Sequence, residues 1–319
     1  MKIGKDIINY LANKTGIKQK ELIEKDILLQ LLLKELTGDE HFKTNYVFKG
    51  GTCLIKCYIG YYRFSEDLDF SWINQEMFTD KTEKQIRKQL SGEINTLGGL
   101  LEDTAEKLDL DFKLDKQDRH YLEFGGSNRF VTFKLWYDSI ELKTRQFTKI
   151  QVNYVEKFKH DFKEMQAKNI LSDIDTREFK FLYPEAAEVL ENPTILAYDI
   201  REILSEKIRA ILTRRGTKAR DYIDIYLIQK QANIEAEDVE AQVMEKTKYM
   251  MRYEKYWKNI QQKTKNKPKF KLGDEEKLLL KPLDPQFHQF LKKFNKTIDK
   301  LLWLKAKIAK GKKKPCQVG

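Results

Sequence analysis

Three cysteines and four histidines are all that the 319 residues hold, and that scarcity removes two kinds of chemistry at the outset. Cys53, Cys57 and Cys316 have no zinc-ligand spacing, and Cys53 and Cys57 stand four apart in an apolar stretch, as two buried helix cysteines would. His41, His120, His160 and His288 are scattered, so neither a histidine metal site nor a catalytic triad has support. No apolar run approaches the roughly 20 residues that a membrane-spanning helix needs. The opening MKIGKDIINYL lacks the apolar core and cleavage site of a secretory leader. The expectation is a cytoplasmic protein with no membrane partner.

What is present is a folding chain with an uneven charge. Hydrophobic residues make up 41%, with 18 Phe and 15 Tyr, which argues against disorder. Lys and Arg number 60 against 49 acids, a net charge of +11. The excess lies at one end. Between Lys258 and Lys314 stand 18 Lys, no Arg and 5 acids, a balance of +13, leaving the rest near −2. A basic segment on an almost neutral body suggests a polyanionic partner such as nucleic acid, although a lysine-rich solvated surface has the same composition.

Hydrophobic periodicity predicts helices over 6–36, with Gly38 and Asp39 as a stop. A short strand, Tyr46-Val47-Phe48, runs into Lys49-Gly50-Gly51-Thr52. The next ten residues, CLIKCYIGYY, suit about three helical turns. Asp67-Leu68-Asp69-Phe70 alternates like a strand. Residues 80–108 read as an amphipathic helix broken at Gly98-Gly99. Strands are expected at 119–124, 129–137 and 147–155, the first two joined by a turn at Gly125-Gly126-Ser127-Asn128. Beyond Pro184 and Pro193 the pattern is helical, and the tail KGKKKPCQVG is expected to be disordered. These elements give an α+β fold: a strand-bearing domain over 1–190, then a helical, Lys-rich domain over 191–319.

The chemistry concentrates in FKGGTCLIKCYIGYYRFSEDLDF. Period-two alternation sets Asp67 and Asp69 on one face, with Leu68 and Phe70 on the other. Two neighbouring carboxylates repel unless a cation lies between them, and hard divalent ions take such oxygens while keeping waters and substrate phosphates as further ligands. A Gly-Gly turn at a strand end lets backbone approach a triphosphate closely, and helix N-terminal amides after Gly51 favour its charge. D-x-D or Gly-Gly alone is weak; the conjunction, flanked by Phe64, Leu68, Phe70 and Trp72, is much stronger.

This segment resembles the nucleotidyltransferases of the polymerase-β-like superfamily, and in detail the AbiEii/AbiGii toxin family. Phe48-Lys49-Gly50-Gly51-Thr52 and Arg63-Phe64-Ser65-Glu66-Asp67-Leu68-Asp69-Phe70 carry the likeness, with 15 residues between Gly51 and Asp67. A second block, DIREILSEKIRAILTRRGTKARDYIDIYLI, is similar to the family's second motif at Glu202, Lys207, Ala210, Arg214, Ala219, Arg220, Asp221 and Asp224. Helical spacing places Lys207, Ala210, Ile211 and Arg214 on one face, lets Asp221 and Asp224 share another, and allows Arg220 to pair with Asp224. An ion-paired helix hairpin without catalytic duty fits this second block equally well on helix physics alone.

The resemblance implies a nucleotidyltransferase-like mixed sheet with flanking helices, followed by an α-helical C-terminal domain. It implies Mg2+, or Mn2+, on Asp67 and Asp69, and an NTP substrate against Lys49, Gly50, Gly51, Thr52, Arg63, Ser65 and Arg214. Lys207, Asp221 and Asp224 are the further catalytic candidates. The implied acceptor is RNA, namely the tRNA 3′ end, in a toxin–antitoxin or abortive-infection system with a cognate antitoxin. Nucleotide transfer to a protein side chain, or RNA binding without catalysis, are the alternatives. One departure stands out. The superfamily often has a third carboxylate on a neighbouring strand, and the expected strand Lys149–Tyr154 offers only Gln151 and Asn153.

Overall fold

A computed structural model describes residues 4–126, 129–251 and 253–310, except the side chains of Asp274 and of residues 304–310. Ser127 and Asn128 of the expected turn, Cys316 and the tail beyond Lys310 lie outside the described residues. The chain divides into two compact units. The first runs up to Lys157 and includes Asp161–Tyr198; the second comprises Phe158–His160 and everything from Asp199 onward.

In the first unit, α1 (Lys5–Thr15) buries Ile7, Ile8, Leu11 and Ala12 and stops at Gly16, which takes a left-handed φ of 71°. Then come α2 (Lys20–Gly38) and α3 (Glu40–Asn45), the latter capped by the Asp39 side chain, which accepts from the Phe42 amide at 2.7 Å. β1 (Tyr46–Lys49) leads into α4 (Gly50–Cys53) and a six-residue π-helix, Leu54–Ile59. β2 (Asp67–Trp72) follows, then α5 (Glu83–Leu108), which opens on a Thr82/Gln85 capping box. β3 (Leu122–Gly125), β4 (Phe130–Asp138), β5 (Arg145–Asn153), β6 (Lys163–Gln166), α6 (Arg177–Leu182) and β7 (Thr194–Ala197) complete the unit.

All seven strands form one mixed sheet in the order β3-β4-β5-β2-β1-β7-β6. β2 lies at its centre, antiparallel to β1 and parallel to β5. One face carries Leu68, Phe70, Val131, Phe133, Leu135, Ile150 and Val152, all fully buried. That face holds the core, with Phe42 of α3 meeting Phe70 edge-on at 5.0 Å. The opposite face carries Asp67 and Asp69. The sheet therefore has a greasy side that fixes it and a polar side free for chemistry.

Three expectations differ from what is seen. α5 runs unbroken through Gly98 and Gly99, because Gly98 lies so close to the Leu114 side chain that a Cβ there would collide with it. Its glycine serves close packing, not a break. CLIKCYIGYY does not make three α turns: after α4 it widens into the π-helix, where Lys56 is buried. Its ammonium reaches Asp26 (2.9 Å), Gln30 Oε1 (2.9 Å) and the Tyr61 hydroxyl (2.6 Å), so a buried charge is fully partnered. Finally, the strand-bearing unit continues past residue 190, since β7 pairs with β1 at Phe48 and Ala197. Four residues, TILA, are too few to show a period.

The second unit is helical: α7 (Ile200–Thr213), α8 (Ala219–Ala232), α9 (Glu240–Met250), α10 (Glu254–Lys265) and α11 (Phe287–Lys310). Asp199 caps α7 by accepting from the Arg201 amide. Tyr222, Tyr226, Phe270, Phe287, Phe290 and Phe294 form a chain of ring contacts that ties α8 to α11. No described helix is long and apolar enough to cross a membrane.

Candidate active site

β1 and β2 pair so that Lys49 lies opposite Asp69 and Phe48 opposite Phe70. The chain then leaves β1 through Gly50, whose φ is +78°, a backbone state that side chains resist. A Cβ on Gly50 would strike the Asp69 carboxylate. A Cβ on Gly51 would come within 2.6 Å of an Arg63 guanidinium nitrogen and 3.4 Å of Ser65 Oγ. Both glycines are therefore required by approach: one presses on Asp69, the other on Arg63. The Thr52 hydroxyl, itself buried, donates to the Asp67 carbonyl and locks the turn to the start of β2. Arg63 is fully buried and donates to the Phe64 carbonyl at 2.8 Å.

Lys49, Gly50, Gly51, Thr52, Arg63, Ser65, Asp67 and Asp69, separated by up to 20 positions in sequence, thus meet at one end of the sheet centre. Asp67 and Asp69 are each half-buried while Leu68 between them is buried. On the neighbouring strand Asp67 pairs with Lys149 and Asp69 with Gln151. The third carboxylate is absent where superfamily members often have it: Gln151 donates to Thr132 Oγ1 at 3.1 Å and Asn153 to Glu156 Oε2 at 2.8 Å. No cluster of three or more His, Cys, Asp or Glu suited to a metal occurs among the described residues. A two-carboxylate donor set still fits magnesium, which commonly takes one or two protein carboxylates and fills the rest of its shell with water and phosphate.

One acid on this face escaped the sequence reading. Glu156 accepts from Asn153, and Lys49 Nζ lies 3.4 Å from it, with both side chains mostly buried. The Lys49 ammonium also sits 5.6 Å from the centre of the Tyr198 ring. Glu156 follows the end of β5, beyond the alternation that identifies strand faces, so only the fold brings it to Lys49.

The second motif is built differently from expectation. α7 ends at Thr213, and Arg214 is extended (ψ 154°), so it leaves the helical face that spacing gave it. Its guanidinium instead returns to Asp221 at 2.6 Å. Lys207, only 9% exposed in its side chain, is ion-paired with Asp224, which has none, and lies 3.5 Å from Asp221. Arg220 lies 3.9 Å from Glu275, whose carboxylate also accepts from the Ala219 amide and so caps α8. The expected Arg220–Asp224 pair is replaced by Lys207–Asp224. Glu202, equally buried, pairs with Lys246 and accepts from the Lys159 and His160 amides at 3.0 and 3.1 Å. These residues belong to the second unit, and the carboxylate pair belongs to the first.

A mixed sheet of this order, flanked by helices and carrying a glycine turn against a D-x-D strand, is the framework of a nucleotidyltransferase. The chain belongs to the AbiEii family of nucleotidyl transferase toxins of type IV toxin–antitoxin systems, whose sequence profile matches residues 31–307. Among solved structures it is similar to MenT4, a nucleotidyltransferase toxin of Mycobacterium tuberculosis H37Rv, with a TM-score of 0.53 at 15% identity over 93% of this chain and 98% of that one. It is also similar to JHP933 of Helicobacter pylori, with a TM-score of 0.44 at 16% identity over 92% and 98%. At such identities the first likeness speaks for the fold alone, and the second adds no argument. No curated protein matches the chain in sequence.

Proposed function

We propose that this toxin transfers a nucleotide from a nucleoside triphosphate to the 3′ end of RNA, with tRNA as the acceptor and magnesium (or manganese) held by Asp67 and Asp69. The observation that carries the proposal is the packing of Gly50 on Asp69 and of Gly51 on Arg63. Nothing in the stability of a strand-to-helix junction asks for two glycines pressed onto a carboxylate and a guanidinium. A backbone that must lie against the metal-holding carboxylate and still present bare amides to a triphosphate does ask for it.

In this reading the triphosphate lies along Gly50, Gly51 and Thr52, with Lys49, Arg63 and Ser65 at its margin. Asp67 and Asp69 would hold the divalent ion, which would supply positive charge against that developing at the α-phosphate. The acceptor hydroxyl oxygen would form the new bond to the α-phosphorus as the bond to the pyrophosphate leaving group breaks, with the hydroxyl proton passing to solvent water. Gln151 and Asn153, as amides, cannot take that proton. Lys207, Arg214, Asp221 and Asp224 enter through the second motif, with Lys207 as phosphate-neutralising cation. The family implies a cognate antitoxin, and we place the pair in the cytoplasm.

The test is incubation of the protein with total RNA, magnesium and each labelled triphosphate in turn. Label entering RNA, and absent with Asp69→Asn, is the expected result. Label on protein alone would replace the acceptor by a side chain. RNA binding without any transfer would reduce the molecule to a binding protein on this fold.

A further inference from the structure

The polar face of the sheet does not end at Asp67 and Asp69. Pairing registers carry it outward: Asp67 stands beside Lys149, Lys149 opposite Lys134, and Phe147 opposite Trp136. Residues paired across strands share a face, and residues two apart along a strand do also. Phe147, Trp136, Lys134 and Lys149 therefore lie on the same side as the carboxylates. With about 4.8 Å between strands and about 3.3 Å per residue, Phe147 lies roughly 8 Å from Asp67 and Trp136 roughly 12 Å.

These side chains form a stack. The His120 ring lies parallel to Trp136, 4.1 Å between centroids at 3°, and Trp136 meets Phe147 at 4.7 Å. Lys134 and Lys149 hold their ammonium groups 5.8 and 5.5 Å from the Phe147 ring, and the Arg145 guanidinium is 5.9 Å from Trp136. Trp136 and Phe147 are half-buried and His120 is exposed. Lys134 is paired with Glu123, and Arg145 with Asp111. Lys149, beside Phe147, and the exposed Arg119, next to His120 in the chain, have no acid partner among the described residues. Aromatic rings that are not needed for the core, flanked by cations without partners, are the elements of a single-strand nucleic-acid platform.

We propose that His120, Trp136 and Phe147, with Lys149 and Arg119, bind the single-stranded 3′ end of the RNA acceptor, stacking its last bases and leading the terminal hydroxyl to Asp67 and Asp69. The platform is continuous with the carboxylate strand through Lys149. Base stacking tolerates any sequence, because every base has a π-face, so the surface selects an unpaired end and not a particular base. The assignment rests on the RNA-acceptor reading above and deepens it.

The experiment uses the full chain in chelator, where no turnover occurs, and a fluorescein-labelled RNA hairpin with a four-nucleotide single-stranded 3′ tail beside the same hairpin ending blunt. The tailed hairpin should bind more tightly. Phe147→Leu and His120→Ala should each weaken the tailed hairpin about tenfold, as loss of one stacked base does, while leaving the blunt one unchanged. Trp136→Phe keeps the stack and should retain affinity. His120 is exposed, so its variant reads the platform even where Phe147→Leu lowers stability. Equal affinity for the two hairpins, equal losses on both, or a rise in the triphosphate KM alone would each overturn the platform. Because binding is read without chemistry, tail-specific binding with no transfer would sink the transfer reading and leave the platform. Transfer to RNA that the variants do not affect would do the reverse.

Discussion

Asp69 is confined by its neighbours, and that confinement can be measured one residue at a time. Gly50→Ala introduces a Cβ at a positive φ, worth about 1–2 kcal/mol in strain, and also drives it into the Asp69 carboxylate. The substitution should lower the melting temperature and abolish transfer. In an Asp69→Ala background the clash with the carboxylate disappears, leaving backbone strain and the 3.0 Å approach to the Cβ of residue 69, so the stability cost of Gly50→Ala should shrink; equal costs in the two backgrounds would mean the carboxylate and the turn do not touch. Asp67→Asn and Asp69→Asn keep shape but lose a charged oxygen donor, so each should cut transfer by orders of magnitude with the fold intact. Near-normal turnover in either would remove it from the metal site. Lys207 carries a different penalty. Lys207→Ala leaves Asp224 buried with its ammonium partner gone, a loss of about 3–5 kcal/mol, so lost activity alone would prove nothing. Lys207→Met combined with Asp224→Asn removes both charges. If the double variant regains stability but not transfer, the pair is catalytic; recovery of both assigns it to structure.

At the scale of elements, the end of α7 shows how this protein closes a helix with a charge instead of a glycine. Lys263, on α10, donates to the carbonyls of Ile211 and Gly216, and burial, with the Arg214 charge adding to it, pushes its ammonium down from 10.5 to about 8. Below about pH 8 the lysine is protonated both folded and unfolded, and the fold bears the full cost of burying the charge. Between about 8 and 10.5 the unfolded chain keeps a proton that the folded one has lost, so this lysine's contribution to stability rises with pH. The stability difference between wild type and Lys263→Met, followed by chemical denaturation from pH 7 to 10, should therefore move in favour of wild type. A flat difference would mean that Lys263 is solvated as an ordinary surface amine.

For the whole molecule, the question is what the basic C-terminal segment does. Several of its lysines are committed within the fold: Lys258 to Glu254, Lys267 to Asp299, Lys293 to Glu235 and Lys300 to Glu240, while Lys263 is buried. Lys265, Lys269, Lys271, Lys281, Lys292 and Lys296 are exposed and have no ion-pair partner among the described residues. The side chains of Lys305, Lys307 and Lys310, and all of Lys312, Lys313 and Lys314, lie outside the described residues. If the segment contacts RNA phosphates, binding falls with salt at a log–log slope of roughly −0.7 per contact for single strands. Replacing Lys265, Lys269, Lys271, Lys281, Lys292 and Lys296 with Gln should flatten that slope and raise the KM for RNA, with turnover on saturating RNA unchanged. An unaltered slope would leave these lysines as a solvating surface and the carboxylate site untouched.

What the residue order determined by itself was the chemistry at the sheet centre. Alternation through Asp67-Leu68-Asp69-Phe70 is a local property of extended chain, so it places both carboxylates on one face and both apolar side chains on the other before any packing is known. The Gly-Gly turn announced itself in the same way, and the motifs led directly to the family. Tertiary structure decided the rest, because it depends on contacts distant in sequence. β7 is too short to have a period and becomes a strand only beside β1. Gly98 reads as a helix breaker until Leu114 is set against it. Arg214 fits a helical face by spacing, yet the helix stops one residue earlier and its charge turns to Asp221. Lys207 looks like a free cation in sequence and proves to be held by Asp224 and Asp221. Glu156 reaches Lys49, and His120 reaches Trp136, only because strands bring together side chains that no local pattern connects. Periodicity reports which way a side chain points; which side chain it meets depends on the chain folding back on itself.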